Sequence, residues 1–437
     1  MGGGYLQLIS NNNANDFLSN NPQISYFKSV YRKYTPFSVE SIMIDNTTAA
    51  LSDNETTISV QIPRDADLVT GMYFTFKLPA IYSGKYSDNE NTYRFKWIEN
   101  IGANIIKEAT LSIGGVIIDR LYSEWLDVYS ELMLTSDEKA ILNKLSGNVN
   151  EVHSPEKSLG YNGNYPHICG PIAEQHLRND SQGFNILTFS ESNVDTTIPS
   201  IPEMDIKVPL PFWFHGKTGL ALPLIALQYD PVVLNITLRK IYDLYTVIDP
   251  DSGKESFNKR IKANSSREDL SLSHFVKNTS YSNNSLSIHS KVEVVYGFLG
   301  ENERKRFAVN EHEYLITKLH KSNTKDLDSG MSDFNIPIRG SSPVKYIVVI
   351  PKRKDTEHLN NWNNYTNWLS KVPPYSPEYL YEDQYYDTVS TPEFPFYTKG
   401  YSPTTDFIPS NLENNIIESF SIKFNGNDRF KPQTKNY

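Results

Sequence analysis

Residues 208–238, VPLPFWFHGKTGLALPLIALQYDPVVLNITL, constrain this chain more than any other stretch. Pro209, Pro211 and Pro223 rule out a continuous helix, because proline lacks an N–H donor and fixes φ. Between and after them stand Phe212, Trp213, Phe214, Leu220, Leu222, Leu224, Ile225 and Leu227, with Gly216 and Gly219 marking a loop between the apolar runs. The tail Val232–Leu238 is β-branched and partly alternating, the pattern of a half-buried strand. Fully burying one large apolar side chain contributes about 1.5–3 kcal/mol, so this aromatic loop, turn and strand can dominate one core. Any large β-sandwich contains such a strand pair, so these residues alone leave the type of sandwich open.

At 437 residues the chain is too long for one ordinary core, and two domains are expected. Its 28 Tyr, 21 Phe and 25 scattered Pro, with little helical periodicity, point to an all-β chain with long loops. A net charge of −9 argues against a chain whose main task is neutralising phosphates, so no specific nucleic-acid partner is expected. No run approaches the ~20 apolar residues of a membrane helix. The opening MGGGYLQLIS has neither a basic start nor an apolar run, so no secretory signal is expected. Gly2 is not followed by the Ser/Thr of a myristoylation site, so lipidation is not expected either. The single cysteine, Cys169, excludes an internal disulfide framework or a cysteine zinc site and suits a reducing cytosol.

Taken in order, residues 1–23 form a Gly- and Asn-rich arm. Apolar positions 27, 30, 31 and 34 predict a short aromatic helix stopped by Pro36, feeding a strand over 37–42. Strands follow at 57–62 and 68–78, separated by the Pro63–Asp67 corner, and 81–96 reads as a polar, Tyr-rich loop. Alternation into Gly114-Gly115 and out again predicts a hairpin over 105–120, followed by a helix over 121–132. Residues 137–207 read as a long surface excursion with one short helix near 136–145, and 246–288 as a second insertion. Val292–Leu299 reads as a strand and 301–308 as a short helix. In the second half, 334–338 and 344–350 read as strands and 351–410 has no period.

Catalytic chemistry is not expected. His312-Glu313 lacks the second histidine of HExxH, Ile316 standing there instead, so His312 reads as a structural residue of a linker. His153, His167, His176, His215, His274, His289, His320 and His358 show no ligand spacing. Ile113-Gly114-Gly115 lacks the Gly-Lys-Ser/Thr of a phosphate loop. Turn chemistry explains Asp65 and Asp67 better than acid–base work does, and Cys169 has no nucleophile context. N-x-S/T sites such as Asn46, Asn54 and Asn364 carry little weight without a signal peptide. The expected numbers of catalytic residues, cofactor sites and metal sites are all nil.

Several blocks carry a resemblance. These are Asn21-Pro22-Gln23-Ile24-Ser25-Tyr26-Phe27-Lys28 running on to Pro36-Phe37, the Gly114-Gly115 hairpin, PLPFWF with GLALPLIALQY, the run from Glu303 through His312-Glu313-Tyr314-Leu315-Ile316, and Phe424-Asn425-Gly426-Asn427-Asp428-Arg429-Phe430. Together they resemble the major capsid proteins of nucleocytoplasmic large DNA viruses. Asn20, Ala66 and Phe424 depart from the residues usual there. The resemblance implies a double jelly roll: the arm at 1–23, a first roll over 24–300, a linker over 301–315, and a second roll over 316–437. The family's later blocks are not found, so the second roll is expected to be incomplete, as in a fragment, a split-gene product, a degenerate paralogue or a diverged smaller structure. The implied role is structural: a homotrimer forming a pseudo-hexagonal capsomer. It would meet neighbouring capsomers and minor capsid proteins, in a virion assembled in the host cytoplasm. Lys28, Arg32 and Lys33 form a basic cluster on the aromatic helix, where a solvated face or trimer contact competes with contact to an internal viral membrane. The alternatives are a minor capsid or scaffold paralogue of the same fold and a carbohydrate-binding β-sandwich. The latter would need exposed aromatics and paired acids on one sheet face.

Overall fold

The computed structural model describes residues 36–46, 50–82, 94–153, 175–179, 185–189, 199–248, 260–263, 270–276, 281–282, 285–322, 335–338, 343–358, 360–367, 416–424 and 426–434. Eight strands build the main body: β1 Phe37–Asn46, β2 Thr56–Gln61, β3 Leu68–Leu78, β4 Ile106–Ile113, β5 Val116–Tyr122, β6 Met204–Pro209, β7 Val232–Leu238 and β8 Ser290–Leu299. One sheet has the order β1-β8-β3-β6 and the other β2-β7-β4-β5, all antiparallel. The pairs β1·β8, β2·β7, β3·β6 and β4·β5 are nested about the Gly114-Gly115 turn. A long hairpin rolled on itself in this way is a jelly roll. Each sheet therefore takes strands from both ends of the 37–299 stretch.

The sequence accounts for the layers. In β7, Val232, Leu234, Ile236 and Leu238 are buried and the residues between are half-buried, the period of two expected of a strand with one face on a core. Ile58 and Val60 of β2, Ala109 and Leu111 of β4, and Met72, Phe74, Phe76 and Leu78 of β3 complete the interior. Val69 also points inward, because the ladder between β3 and β8 shifts at Val295/Tyr296 and leaves Thr70 as an extra residue. At the β4–β5 turn, Gly114 and Gly115 adopt φ of 57° and 83°. A two-residue turn with both φ positive matches the right-handed twist of its strands.

The structure departs from the reading of several segments, among them Met204–Pro209, a strand inside the excursion read at 137–207. Within the loop read at 81–96, Arg94–Trp97 is a strand, paired with Tyr245–Ile248, which pairs in turn with Arg260–Lys262. Phe95 stacks on Tyr245 at 4.8 Å and meets Phe275 at 5.2 Å, and all three rings are fully buried. The polar flanks of a four-residue strand hid its two inward aromatics. The segments read as strands at 334–338 and 344–350 form no ladder among the described residues. The block at 417–430 folds as two short pairs, Ser419–Phe420 with Gln433–Thr434 and Lys423–Phe424 with Asn427–Asp428. The arm 1–23, the aromatic helix at 24–35 with Lys28, Arg32 and Lys33, Cys169, and residues 368–410 lie outside the described residues.

Helices flank the roll: α1 Ile101–Ile105, α2 Ser123–Met133, α3 Ser136–Leu145 and α4 Glu301–Val309. The Thr135 side chain accepts from the Glu138 N–H, and the Glu138 carboxylate accepts from the Thr135 N–H, a reciprocal cap that starts α3. Phe74 lies fully buried between the sheets. Phe74→Ala is expected to cost about 3–5 kcal/mol, whereas Met43→Ala, on the exposed outer row of β1, should cost less than about 0.5 kcal/mol; urea unfolding of both variants measures the difference.

Candidate functional site

Among the described residues no three His, Cys, Asp or Glu cluster as a metal site would need, and the candidate site is the set of contacts that fixes the residues after β8 against the roll. The first set lies at the Pro63–Asp67 corner. The Arg64 guanidinium donates to the backbone carbonyls of Leu227 and Gln228, and to that of Asp230 at 3.4 Å. It thereby braces the turn between the aromatic loop and β7. The buried Asp67 carboxylate accepts from the Leu299 N–H at 2.8 Å and holds Arg304 of α4 through both oxygens, at 2.9 and 3.0 Å. Such two-pronged, charge-assisted contacts carry orientation as well as energy. Tyr296 donates to the Pro63 carbonyl at 2.9 Å, and burial pushes its phenol above the usual range. Asp67 is thus committed to joining the end of β8 and the start of α4 to the corner.

The second set is a buried polar junction that sequence reasoning missed. Residues 360–367 dock on α1, on α2 and on the turn at 241–245. The Asn360 side chain donates to the carbonyls of Tyr242 and Tyr245 at 2.7 and 2.9 Å, from a left-handed backbone with φ of 53°. Trp362 donates its indole N–H to the Asp243 carbonyl at 2.9 Å, and the Arg239 guanidinium lies 4.2 Å over its ring. Asp127 is the hub: Oδ1 accepts from Asn100 and from Asn363, each at 3.0 Å, and the carboxylate also bonds the Tyr365 hydroxyl. Asn104 in turn donates to the Asn363 side-chain oxygen.

Charges gather beside this hub. Burial alone would raise the Glu124 carboxyl, but nearby Lys321, Lys352 and Arg239 help hold it below the usual carboxylate range. Lys321 reaches it at 3.2 Å. Burial pushes the Lys352 ammonium and the Arg239 guanidinium down and the Tyr365 phenol up. The available signal was the run Asn360-Asn361-Trp362-Asn363-Asn364-Tyr365. Four amides around two aromatics suit a buried hydrogen-bonded plug, yet by composition they look like a loop.

The third set ties the residues after α4 to β5. Asp119 is buried and accepts from the backbone N–H groups of Arg120, Leu319 and Trp213. Burial outweighs these bonds and pushes its carboxyl up to about 6. His312 donates from Nε2 to the Phe307 carbonyl at 2.7 Å and stacks on the Phe307 ring at 4.6 Å. Among the described residues no group of three His, Cys, Asp or Glu could hold a metal ion. His215 borders a cleft of about 250 Å³ with Thr70, Gly71, Tyr73 and Lys217. Its Nδ1 has no hydrogen-bond partner, and burial holds the imidazole below its ordinary range.

Comparison with known proteins places this geometry. The family model described as the N-terminus of the major capsid protein matches residues 25–272. The chain is 29% identical over 388 residues to the major capsid protein of Phaeocystis pouchetii virus, covering 85% of this chain and 66% of that one. It is 31% identical over 345 residues to capsid protein 1 of Acanthamoeba polyphaga mimivirus, covering 78% and 48%. The chain therefore spans between about half and two thirds of these relatives' length. Among solved structures, a quasi-atomic model of the PBCV-1 virus capsid shares the fold at a TM-score of 0.53 and 24% identity, over 94% of this chain and 75% of that one.

Asp127→Ala leaves the donors of Asn100, Asn363 and Tyr365 without their acceptor. At about 1–3 kcal/mol per orphaned buried group, the variant should lose at least about 3 kcal/mol in urea unfolding. Amide exchange should accelerate across 360–367. Glu131→Ala, which removes a largely exposed partner of Lys139, should cost less than about 1 kcal/mol. Asp119 also sets a pH dependence. Its folded pKa of about 6 lies above the ordinary 3.8, so between these values the folded chain binds more protons than the unfolded one. Stability from this group is therefore greatest at low pH and falls as pH rises through about 6. His215, with a lowered folded pKa, acts in the opposite sense near its ordinary 6.5, so the Asp119 contribution is read as the difference between wild type and Asp119→Asn. That difference should shift between pH 5 and 7 in favour of the Asn variant at the higher pH.

Proposed function

This chain belongs to the family of major capsid proteins of nucleocytoplasmic large DNA viruses, and we propose that it is a structural shell protein of such a virus. The observation that carries this reading is the coincidence of the family match over 25–272 with seven of the eight nested strands, from β1 to β7. Three copies close into one capsomer, and capsomers meet one another and minor capsid proteins through their rims. The protein resides in the virion, is assembled in the host cytoplasm and turns over no substrate. Its first roll runs over 24–300, its linker over 301–315 and its second roll from 316. The contacts of Asp67, Asp119 and Asp127 support this reading, because each holds the chain after β8 in one orientation against the roll. A capsomer wall needs that rigidity.

Native mass spectrometry and negative-stain microscopy of the purified full chain test the proposal. A three-copy species with a pseudo-hexagonal outline is the expected result. A chain that stays monomeric at every concentration would sink the reading, and saturable binding on a glycan array would favour the carbohydrate-binding alternative. Composition of purified virions distinguishes a major shell component from a minor one.

A further inference from the structure

We propose that the cleft beside His215 is a binding site for a small oxyanion, a phosphate or a carboxylate, free in solution or borne on a sugar. The inference does not depend on the capsid reading. The floor of the cleft is set by a missing side chain. Along the outward row of β3, Tyr73, Thr75 and Lys77 carry large or polar side chains, and Gly71 carries none. Val295 of β8 faces Gly71 across the ladder. A Cβ at Gly71 would lie 3.6 Å from Nδ1 of His215 and 3.6 Å from the Val295 side chain, so any larger residue there would intrude on the floor. The Tyr73 and His215 rings meet edge-on at 5.6 Å and form the walls, and the exposed Gly216, Lys217 and Thr218 complete the lining. A water takes up ~30 Å³ of the liquid, so a cleft of about 250 Å³ has room for a group of several heavy atoms.

The loop that carries His215 is held in place by its own anchors. Phe212, Trp213 and Phe214 are buried. The His215 N–H donates to the Phe212 carbonyl at 2.9 Å and the Lys217 N–H to the Phe214 carbonyl at 3.1 Å. Gly216 between them takes the left-handed backbone, with φ of 68°, that reverses the chain. Nδ1 of His215 is buried without a hydrogen-bond partner. A proton there finds no acceptor, so the neutral ring carries its proton on Nε2, the nitrogen left to the opening. Burial holds the imidazole below its ordinary range, which keeps this neutral donor in place at neutral pH. Lys217 adds an ammonium that forms no ion pair among the described residues. No carboxylate lines the cleft. Glu293, opposite Tyr73 in the ladder, is already taken by the Ser41 hydroxyl at 2.5 Å and the Lys207 ammonium at 2.5 Å. Lys207 in turn lies 4.5 Å over the Tyr73 ring. The cleft thus offers donors and a positive charge with no acid to answer them. Such a set selects a ligand that brings charged acceptor oxygens, because charge-assisted hydrogen bonds are the stronger kind.

Isothermal titration calorimetry of the full chain at neutral pH tests this with inorganic phosphate, with glucuronate and, as the uncharged control, with glucose. At least one anion should bind saturably and glucose should not. Phosphate as the tighter anion identifies a phosphorylated ligand, and glucuronate as the tighter identifies a carboxylated sugar. Lys217→Gln removes the ammonium, and His215→Phe keeps a ring while removing the Nε2 donor. Each should weaken anion binding by about tenfold or more. Lys217 is exposed and Nδ1 of His215 has no partner to orphan, so both variants should melt at the wild-type midpoint. Should His215→Phe melt lower, Lys217→Gln alone decides. No saturable binding of either anion, glucose bound as tightly as glucuronate, or undiminished binding by Lys217→Gln each overturns the proposal. None of these outcomes touches the capsid reading, which stands or falls on stoichiometry.

Discussion

The pairing of β1 with β8 is the contact on which the roll depends. It joins Phe37 to Leu299 and Asn46 to Ser290, closing a stretch of over 250 residues. Three further pairs lie nested inside it. An unpaired buried backbone group costs about as much as a lost hydrogen bond, so the ladder must be continuous before the two inner faces can exclude water. The interior then follows from a period of two: Phe74 and Phe76 of β3, Leu234 and Ile236 of β7 and Val292 and Val294 of β8 are all buried. The outer row of β1 needs no such pattern and carries Phe37, Val39 and Met43 in the open.

Polar contacts then settle how the rest of the chain sits on this body. Asp67, Asp119 and Asp127 are three carboxylates on three separate elements, and each accepts from residues distant in sequence: Arg304, Leu319 and Asn363 respectively. Buried charge is costly unless paired or hydrogen-bonded, so each fixes one geometry and penalises others. Apolar packing alone is non-directional and would hold the same segments less specifically. This division of labour suits a protein whose task is to present fixed surfaces.

Much of the roll was legible because its signals are local. The Gly114-Gly115 turn, the alternation of Val232–Leu238 and the helix over 136–145 all stand where their residues place them. The nesting of the pairs was not legible from periodicity, since partners such as Ser41 and Val295 are separated by the whole roll; the resemblance supplied it. The strand at Arg94–Trp97 was hidden by its brevity and its charged flank, and it is recognisable only beside Tyr245 and Phe275. The Asn360–Tyr365 plug was missed because buried amides and solvated amides look alike until their acceptors are known. Conversely, the Val344–Ile350 run carries a strong strand signal and has no ladder among the described residues.

The closure of the roll has a consequence for how the protein is made. A ribosome adds about 5–20 residues per second, so roughly 13–50 seconds separate the completion of β1 at Asn46 from that of β8 at Leu299. Throughout that interval β1 has been made but its hydrogen-bonding partner has not, and the apolar rows of β2 to β7 accumulate on an open sheet. An exposed apolar surface and an unpaired strand edge are the features that make incomplete chains prone to aggregate, and here both persist until the last strand of the roll is made.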